Sequence, residues 1–358
     1  MSFLITTLAA IAIFGLVVMI HELGHFICAK WAGIQVNEFS IGMGPALFSR
    51  VRKGTRYSVR ALPLGGYVSM EGEDEETEES DLDLPEIPQQ EKTGIPYPNA
   101  PVSKRIVVLV AGAVMNLVLG FAVLLLLFAD SDFLVSRNVA YLAPDAPIAS
   151  SGLQLEDEIL AIDGRRCLVA NDIVYELQRS TDYTADFTVK RGGEKVTIPN
   201  VHFAVEQKND NGETIQTLGF KVHRMEKTFG NVIRQAAYHT VFYARLVFRS
   251  LMDMLSGRVS VTELSGPVGI VSAINEAVSM GREQLLNMLA LLTINLGVFN
   301  LLPIPALDGG KLVFVVAEGI FRRPIPKKLE IWVNMAGLVF LLGLMLFATF
   351  NDLGRLFG

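Results

Sequence analysis

Cysteine is close to absent from this chain: Cys28 and Cys167 are its only two, and they form no CxxC pair. In the topology derived below they fall on opposite sides of a membrane, so no disulfide can join them. Charge is scarce as well, at 19% of residues against 51% hydrophobic, with a mean hydropathy of +0.39. One large water-soluble core is a poor account of that balance, and several membrane spans are a good one. The net charge of -6 comes without any basic cluster, which argues against nucleic acid and leaves the lipid bilayer as the first partner.

No Lys or Arg precedes the apolar run from Phe3 to Ile20, so it reads as a retained span and not as a signal peptide. Three further stretches reach the roughly 20 apolar residues a helix needs to cross hydrocarbon. They are Ile106 to Ala129, Leu285 to Leu302 and Ile331 to Phe350. Basic residues set the orientation of these four spans. Lys30, Lys104 and Arg105 flank the loop between the first two, and Lys311, Arg322, Arg323, Lys327 and Lys328 the loop between the last two. Both loops are expected to be cytoplasmic and both termini extracytoplasmic. The first and third spans then run in the same direction and end at the same depth.

This divides the chain into a first span (1–29), a glycine-rich stretch of β-formers that reads as hairpins (30–70), and an acidic cytoplasmic linker (71–103). A second span (104–130) leads to a water-soluble mixed α/β domain (131–222) and an extracytoplasmic amphipathic segment (223–284). The third span (285–310), a cytoplasmic loop (311–330) and the fourth span with its tail (331–358) follow. Within the soluble domain, strands are expected at Val139–Leu142, Glu158–Ile162, Phe187–Val189 and Val196–Ile198, and a helix at Val169–Arg179.

The chemistry begins where the first span ends. His21-Glu22-Leu23-Gly24-His25 puts two imidazoles one helical turn apart, able to bind one Zn2+, with Glu22 near the water-bearing position. Five such residues are a weak signal alone. At the end of a span each ionisable group costs about 2.5 to 3.5 kcal/mol on insertion scales, so three together need a partner, and a divalent cation is the obvious one. A catalytic zinc takes three protein ligands. His202, His223 and His239 fall in the outer segment, whereas Asp308, in the run Asn300 to Gly310, reaches the depth of His25. Asp308 is therefore the expected third ligand and Glu22 the expected general base. Asn295 and Asn300 could hold an extended substrate backbone, or could simply bond one helix to another.

Several runs together carry a resemblance. His21 to Phe26, Phe39-Ser40-Ile41-Gly42-Met43-Gly44, Pro63-Leu64-Gly65-Gly66-Tyr67-Val68, Leu264-Ser265-Gly266-Pro267 and Asn300 to Gly310 occur in the same order in the bacterial site-2 proteases. The chain resembles that family, the regulator-of-sigma-factor type of intramembrane zinc metalloprotease in peptidase family M50. The resemblance implies an α-helical polytopic membrane protein, with a four-span metalloprotease core, a membrane re-entrant β-hairpin region over 30–70 and one inserted extracytoplasmic PDZ domain. Ala143 to Ala149, Gly152-Leu153 and Asp157 to Gly164 look right for that domain, although Glu156 stands where members usually carry Gly. It implies residence in the bacterial inner membrane, and substrates that are single-span membrane proteins such as pre-trimmed anti-sigma factors or remnant signal peptides.

Two other classes compete. A PDZ-bearing membrane adaptor would have no use for Glu22, both histidines and Asp308. A zinc transporter would be expected to show repeated halves, and the sequence has no internal repeat.

Overall fold

The structure, a computed structural model, describes residues 3–73, 87–144, 146–208, 214–260, 262 and 264–357. Most of the acidic run, residues 74–86, lies outside the described residues. The chain forms two compact units, Met1–Val123 with Leu246–Gly358, and Leu124–Arg245.

The first unit opens with α1 (Phe3–Ala32), apolar around its whole circumference as far as His21, the pattern of a helix in lipid. Two antiparallel strands follow, β1 (Val36–Arg52) and β2 (Thr55–Met70). Their two-residue turn, Lys53-Gly54, has positive φ at both positions (50° and 68°), as a type I′ hairpin turn demands. The pair is folded on itself. Val36 to Ile41 face Met70 to Gly66, while Glu38 to Ile41 also face Arg56 to Val59 and Ala46 to Arg52 face Arg60 to Thr55. The first segment of β1 thus lies between two segments of β2. Gly42, Gly44 and Gly65, all at positive φ, supply the irregular backbone where the segments bend. Buried Glu38 pins the centre, accepting from Arg60 (2.8 Å) and Ser58 (2.5 Å). The strand β2 packs against α1.

After α2 (Val102–Asp130), the second unit carries β3 (Leu134–Leu142), β4 (Glu158–Ile162), β5 (Arg165–Arg166), α3 (Ala170–Leu177), β6 (Thr184–Arg191) and β7 (Glu194–His202). It closes with β8 (Ala204–Lys208), β9 (Thr214–Leu218) and β10 (Phe220–Met225). The main sheet runs β10-β3-β4-β6-β7, with β5 on β4, and β8 pairs with β9 apart from it. Val139, Ile148, Ile159, Ile162 and Phe187, all fully buried, form its core. A further helix, α4 (Phe229–Leu255), buries Val232, Ala236, His239 and Tyr243 along one face, the spacing of an amphipathic helix.

The first unit resumes with α5 (Pro267–Met280), α6 (Arg282–Asn300), α7 (Asp308–Phe321) and α8 (Lys327–Phe357). Ile274 of α5 packs fully buried with Ala10, Ile13 and Val17 of α1, and Leu285, Leu289 and Leu292 of α6 complete the cluster. In lipid such packing is held by close van der Waals fit more than by water exclusion.

Several expectations are corrected. Among the described residues three helices are long and apolar enough to cross a membrane, Ile5–Ala32, Val102–Asp130 and Lys327–Arg355, and they correspond to three of the four expected spans. The helix α6 falls short: it has only 19 residues, opens on Arg282, Glu283 and Gln284, and carries Asn287, Asn295 and Asn300. It also stops at Asn300, ahead of the prolines, so residues 285–310 are not one helix. Within residues 311–330, expected to be a loop, 311–321 belong to the helix α7, which opens at Asp308, and 327–330 open α8. The segment 223–284 holds two helices, of which α5 packs on α1, α6 and α8. The first helix continues to Ala32. Finally, the later part of the acidic linker is folded: Tyr97 and Ala100 are buried beside Ile34 and Val36, and Gln35 N–H donates to the Ile95 carbonyl (2.9 Å).

Candidate metal centre

One turn of α1 separates His21 from His25, both buried, and their Nε2 atoms lie 3.1 Å apart. Asp308 Oδ2 lies 2.9 Å from the first and 3.3 Å from the second. Two ligand atoms about 2.0 Å from one zinc at tetrahedral angles stand about 3.3 Å apart, so these separations suit three corners of a tetrahedron. Asp308 owes its position to the turn after Asn300. Pro303 and Pro305 forbid a continuing helix, and Ala306 takes the left-handed region (φ 71°). The Ala306 N–H donates to Asn334 Oδ1 of α8 (3.2 Å). Gly337 of α8 and Gly309 fit against this turn with no room for a side chain. A methyl on Gly337 would stand 2.6 Å from the Pro305 carbonyl oxygen, and one on Gly309 2.7 Å from that of Leu301.

The helix α2 forms the wall behind the histidines. His25 Nδ1–H donates to the Val108 carbonyl (2.8 Å), which commits its proton to Nδ1 and leaves a lone pair on Nε2. Asn116, 0% exposed, has its side-chain nitrogen 3.3 Å from His21 Nδ1, while its Oδ1 has no hydrogen-bond partner. Close approach of the two helices depends on glycine. A methyl on Gly24 would meet the Ala111 carbonyl oxygen at 2.5 Å, and one on Gly112 would meet His21 Nε2 at 2.8 Å and His25 Nε2 closer still. Lone pairs from His25 Nε2 and Asp308 Oδ2 converge here with His21 Nε2, a donor set that fits one divalent cation. Sequence reading had missed Val108, Gly112 and Asn116. Only Asn116 carried a signal, as an amide inside an apolar span.

The remaining expected site residues are distributed differently. Glu22 is partly buried on the same turn as the histidines. Asn295 and Asn300 lie half-buried on α6, Asn300 as its last residue. Asn295 Oδ1 is buried without a partner. Lys311 and Glu318 of α7 pair with Glu73 (2.9 Å) and Arg105 (2.6 Å), fastening α7 to the residues after β2 and to the start of α2. His202, His223 and His239 all lie in the second unit. His239 is packed among Phe128, Phe242 and Tyr243.

A membrane chain with a buried His-His-Asp cluster is in keeping with a metallopeptidase, and comparison with known families gives the class directly. The model of peptidase family M50 matches residues 9–344, and the chain belongs to that family. It is similar to the regulator of sigma-W protease RasP of Bacillus subtilis, 32% identical over 429 aligned positions that cover 99% of this chain and 100% of the relative. It is also similar to the zinc metalloprotease RasP of Geobacillus kaustophilus, at 30% identity with 97% of each chain covered.

Proposed function

We propose that this peptidase is an intramembrane zinc metalloendopeptidase that cuts the membrane segments of single-span proteins, with His21, His25 and Asp308 as the zinc ligands and Glu22 as the general base. The observation that carries this reading is the meeting of Asp308 with two histidines 287 and 283 residues away. Family membership and the zinc metalloproteases among its relatives support the reaction class and the metal. Zinc, when bound, lowers the pKa of a coordinated water toward about 7 and polarises a peptide carbonyl. Glu22 takes the proton from the attacking water and returns it to the departing amine. Asn295 and Asn300 hold the substrate backbone in extended form, and the β1/β2 region over 30–70 dips into the membrane and offers an edge for strand addition.

Four spans, α1, α2, α6 and α8, make up the core in this reading. The 19 residues of α6 reach about 28 Å at 1.5 Å per residue, close to the roughly 30 Å of hydrocarbon. Its polar residues suit a helix facing the interior of a bundle. The termini and the second unit are extracytoplasmic, the metal lies toward the cytoplasmic side, and the bilayer is the bacterial inner membrane. The second unit acts as a PDZ domain, a reading supported by its antiparallel sheet and its short helix α3. Substrates are pre-trimmed anti-sigma factors or remnant signal peptides, a reading supported by the sigma-W role in the name of the Bacillus relative.

The test is a Glu22→Gln variant reconstituted with a single-span membrane substrate. Zinc is expected to stay bound while cleavage stops. Cleavage at the parent rate would end the base assignment, and a zinc-loaded parent that cuts no membrane helix would favour a PDZ-bearing adaptor.

A further inference from the structure

We infer that Asn116 is a positioning residue for the metal centre, its side-chain oxygen accepting the Nδ1–H of His21 and thereby setting which nitrogen of that ligand faces the cation. The inference rests on the ligand reading above and goes beyond it, to how a third helix selects the tautomer. Asn116 belongs to α2, which contributes no ligand, and it is fully buried against His21. Amide oxygen and nitrogen differ by a half-turn of the side chain and are placed by their hydrogen bonds. Oδ1 has no other partner, so no second contact holds the amide one way round.

The chemistry of the ring decides between the two orientations. If the amide nitrogen donated to Nδ1, the ring proton of neutral His21 would sit on Nε2, pointing at Asp308 Oδ2 only 2.9 Å away and blocking that nitrogen as a ligand. With the oxygen at Nδ1 the proton moves there and the Nε2 lone pair joins those of His25 and Asp308. His25 is already fixed in this form by the Val108 carbonyl, about two turns earlier on α2. The single helix α2 therefore sets both imidazoles, Val108 for His25 and Asn116 for His21. The backbone around Asn116 is anchored too: its carbonyl accepts from Thr293 Oγ1 of α6 (3.2 Å). Partners of this kind, when removed, weaken metal affinity about 10- to 100-fold.

Zinc affinity of the full-length protein in detergent, measured by competition with a chelator, tests this through Asn116→Leu and Asn116→Asp. Leucine removes both polar atoms at similar volume, and aspartate keeps an acceptor while removing the donor. Asn116→Leu is expected to bind zinc about 10- to 100-fold more weakly, and Asn116→Asp within a few-fold of the parent or tighter. Parent-like affinity in Asn116→Leu, or loss in a monodisperse Asn116→Asp equal to that in Asn116→Leu, would overturn the inference. Nitrogen NMR of zinc-loaded parent protein labelled at histidine needs no substitution: His21 is expected to be protonated at Nδ1, and zinc on Nδ1 would overturn it as well. His21→Ala separates the two levels, because parent-like zinc binding there would refute the ligand reading itself.

Discussion

Replacing Gly112 by alanine adds a single methyl group behind both histidines, and its cost can be worked from the structure. The added carbon would stand 2.8 Å from both Cε1 and Nε2 of His21, and closer to His25 Nε2. Carbon and nitrogen in contact need about 3.5 Å, so the rings or the helix must retreat by roughly 1 Å. The rings have little freedom to do so. His25 is tied to the Val108 carbonyl, and α1 is held against α2 by the Gly24–Ala111 contact. Constellations of this kind must be held to within about 0.5 Å, and disturbing what supports metal ligands weakens affinity by up to about 100-fold. Gly112→Ala is therefore expected to weaken zinc binding about 100-fold, equivalent to about 2.7 kcal/mol. Titration in zinc buffers, with the purified protein, reads this directly. Gly343→Ala on α8 is the control, since a methyl there meets nothing within 4 Å, and it is expected to bind zinc as the parent does. Parent-like affinity in Gly112→Ala would refute the packing argument.

Two further predictions concern the second unit. Burial pushes the Asp157 carboxyl upward, but Arg191, at 2.8 and 2.6 Å, and the Gln154 N–H more than offset this and hold it below the usual carboxylate range. Its contribution to stability is therefore present above about pH 4 and lost as pH falls through the folded value; Asp157→Asn is expected to lower the melting temperature at pH 7 and to flatten the acid loss, and an unchanged pH profile would count against it. Burial, with Asp172 and Glu176 nearby, pushes the Cys167 thiol up to about 12, so alkylation at pH 8 is expected to spare Cys167 until the protein is denatured, as peptide mass mapping would show; ready labelling of folded protein would contradict its placement.

The parts of the fold that could be read from sequence are those fixed by local period or by membrane cost. The runs around Glu158–Ile162 and Val196–Ile198 announced strands because short β-branched segments sit between turn residues, and strands are found there. His21, His25 and Asp308 stood out because ionisable groups at span ends are costly, and the structure brings the three together. What could not be read depends on contacts distant in sequence. Nothing local says that Asn116 faces α1 and not α6, or that Gly112 is small for the sake of the histidines. The start of α7 was hidden because Asp308-Gly309-Gly310 has turn composition, and only its packing on residues 301–305 makes those glycines helical. Tyr97 looked like part of a solvated linker because its burial partners, Ile34 and Val36, lie some 60 residues earlier.

The central claim is that one zinc is held by two imidazoles and a carboxylate drawn from α1 and α7. Zinc-edge X-ray absorption of the purified, zinc-loaded protein tests it most directly. The account predicts a first shell of nitrogen and oxygen alone at about 2.0 to 2.1 Å, with outer scattering from two imidazoles, one of which disappears in His21→Ala. A sulfur scatterer near about 2.3 Å, as Cys28 would give, or scattering from fewer than two imidazoles, would contradict it.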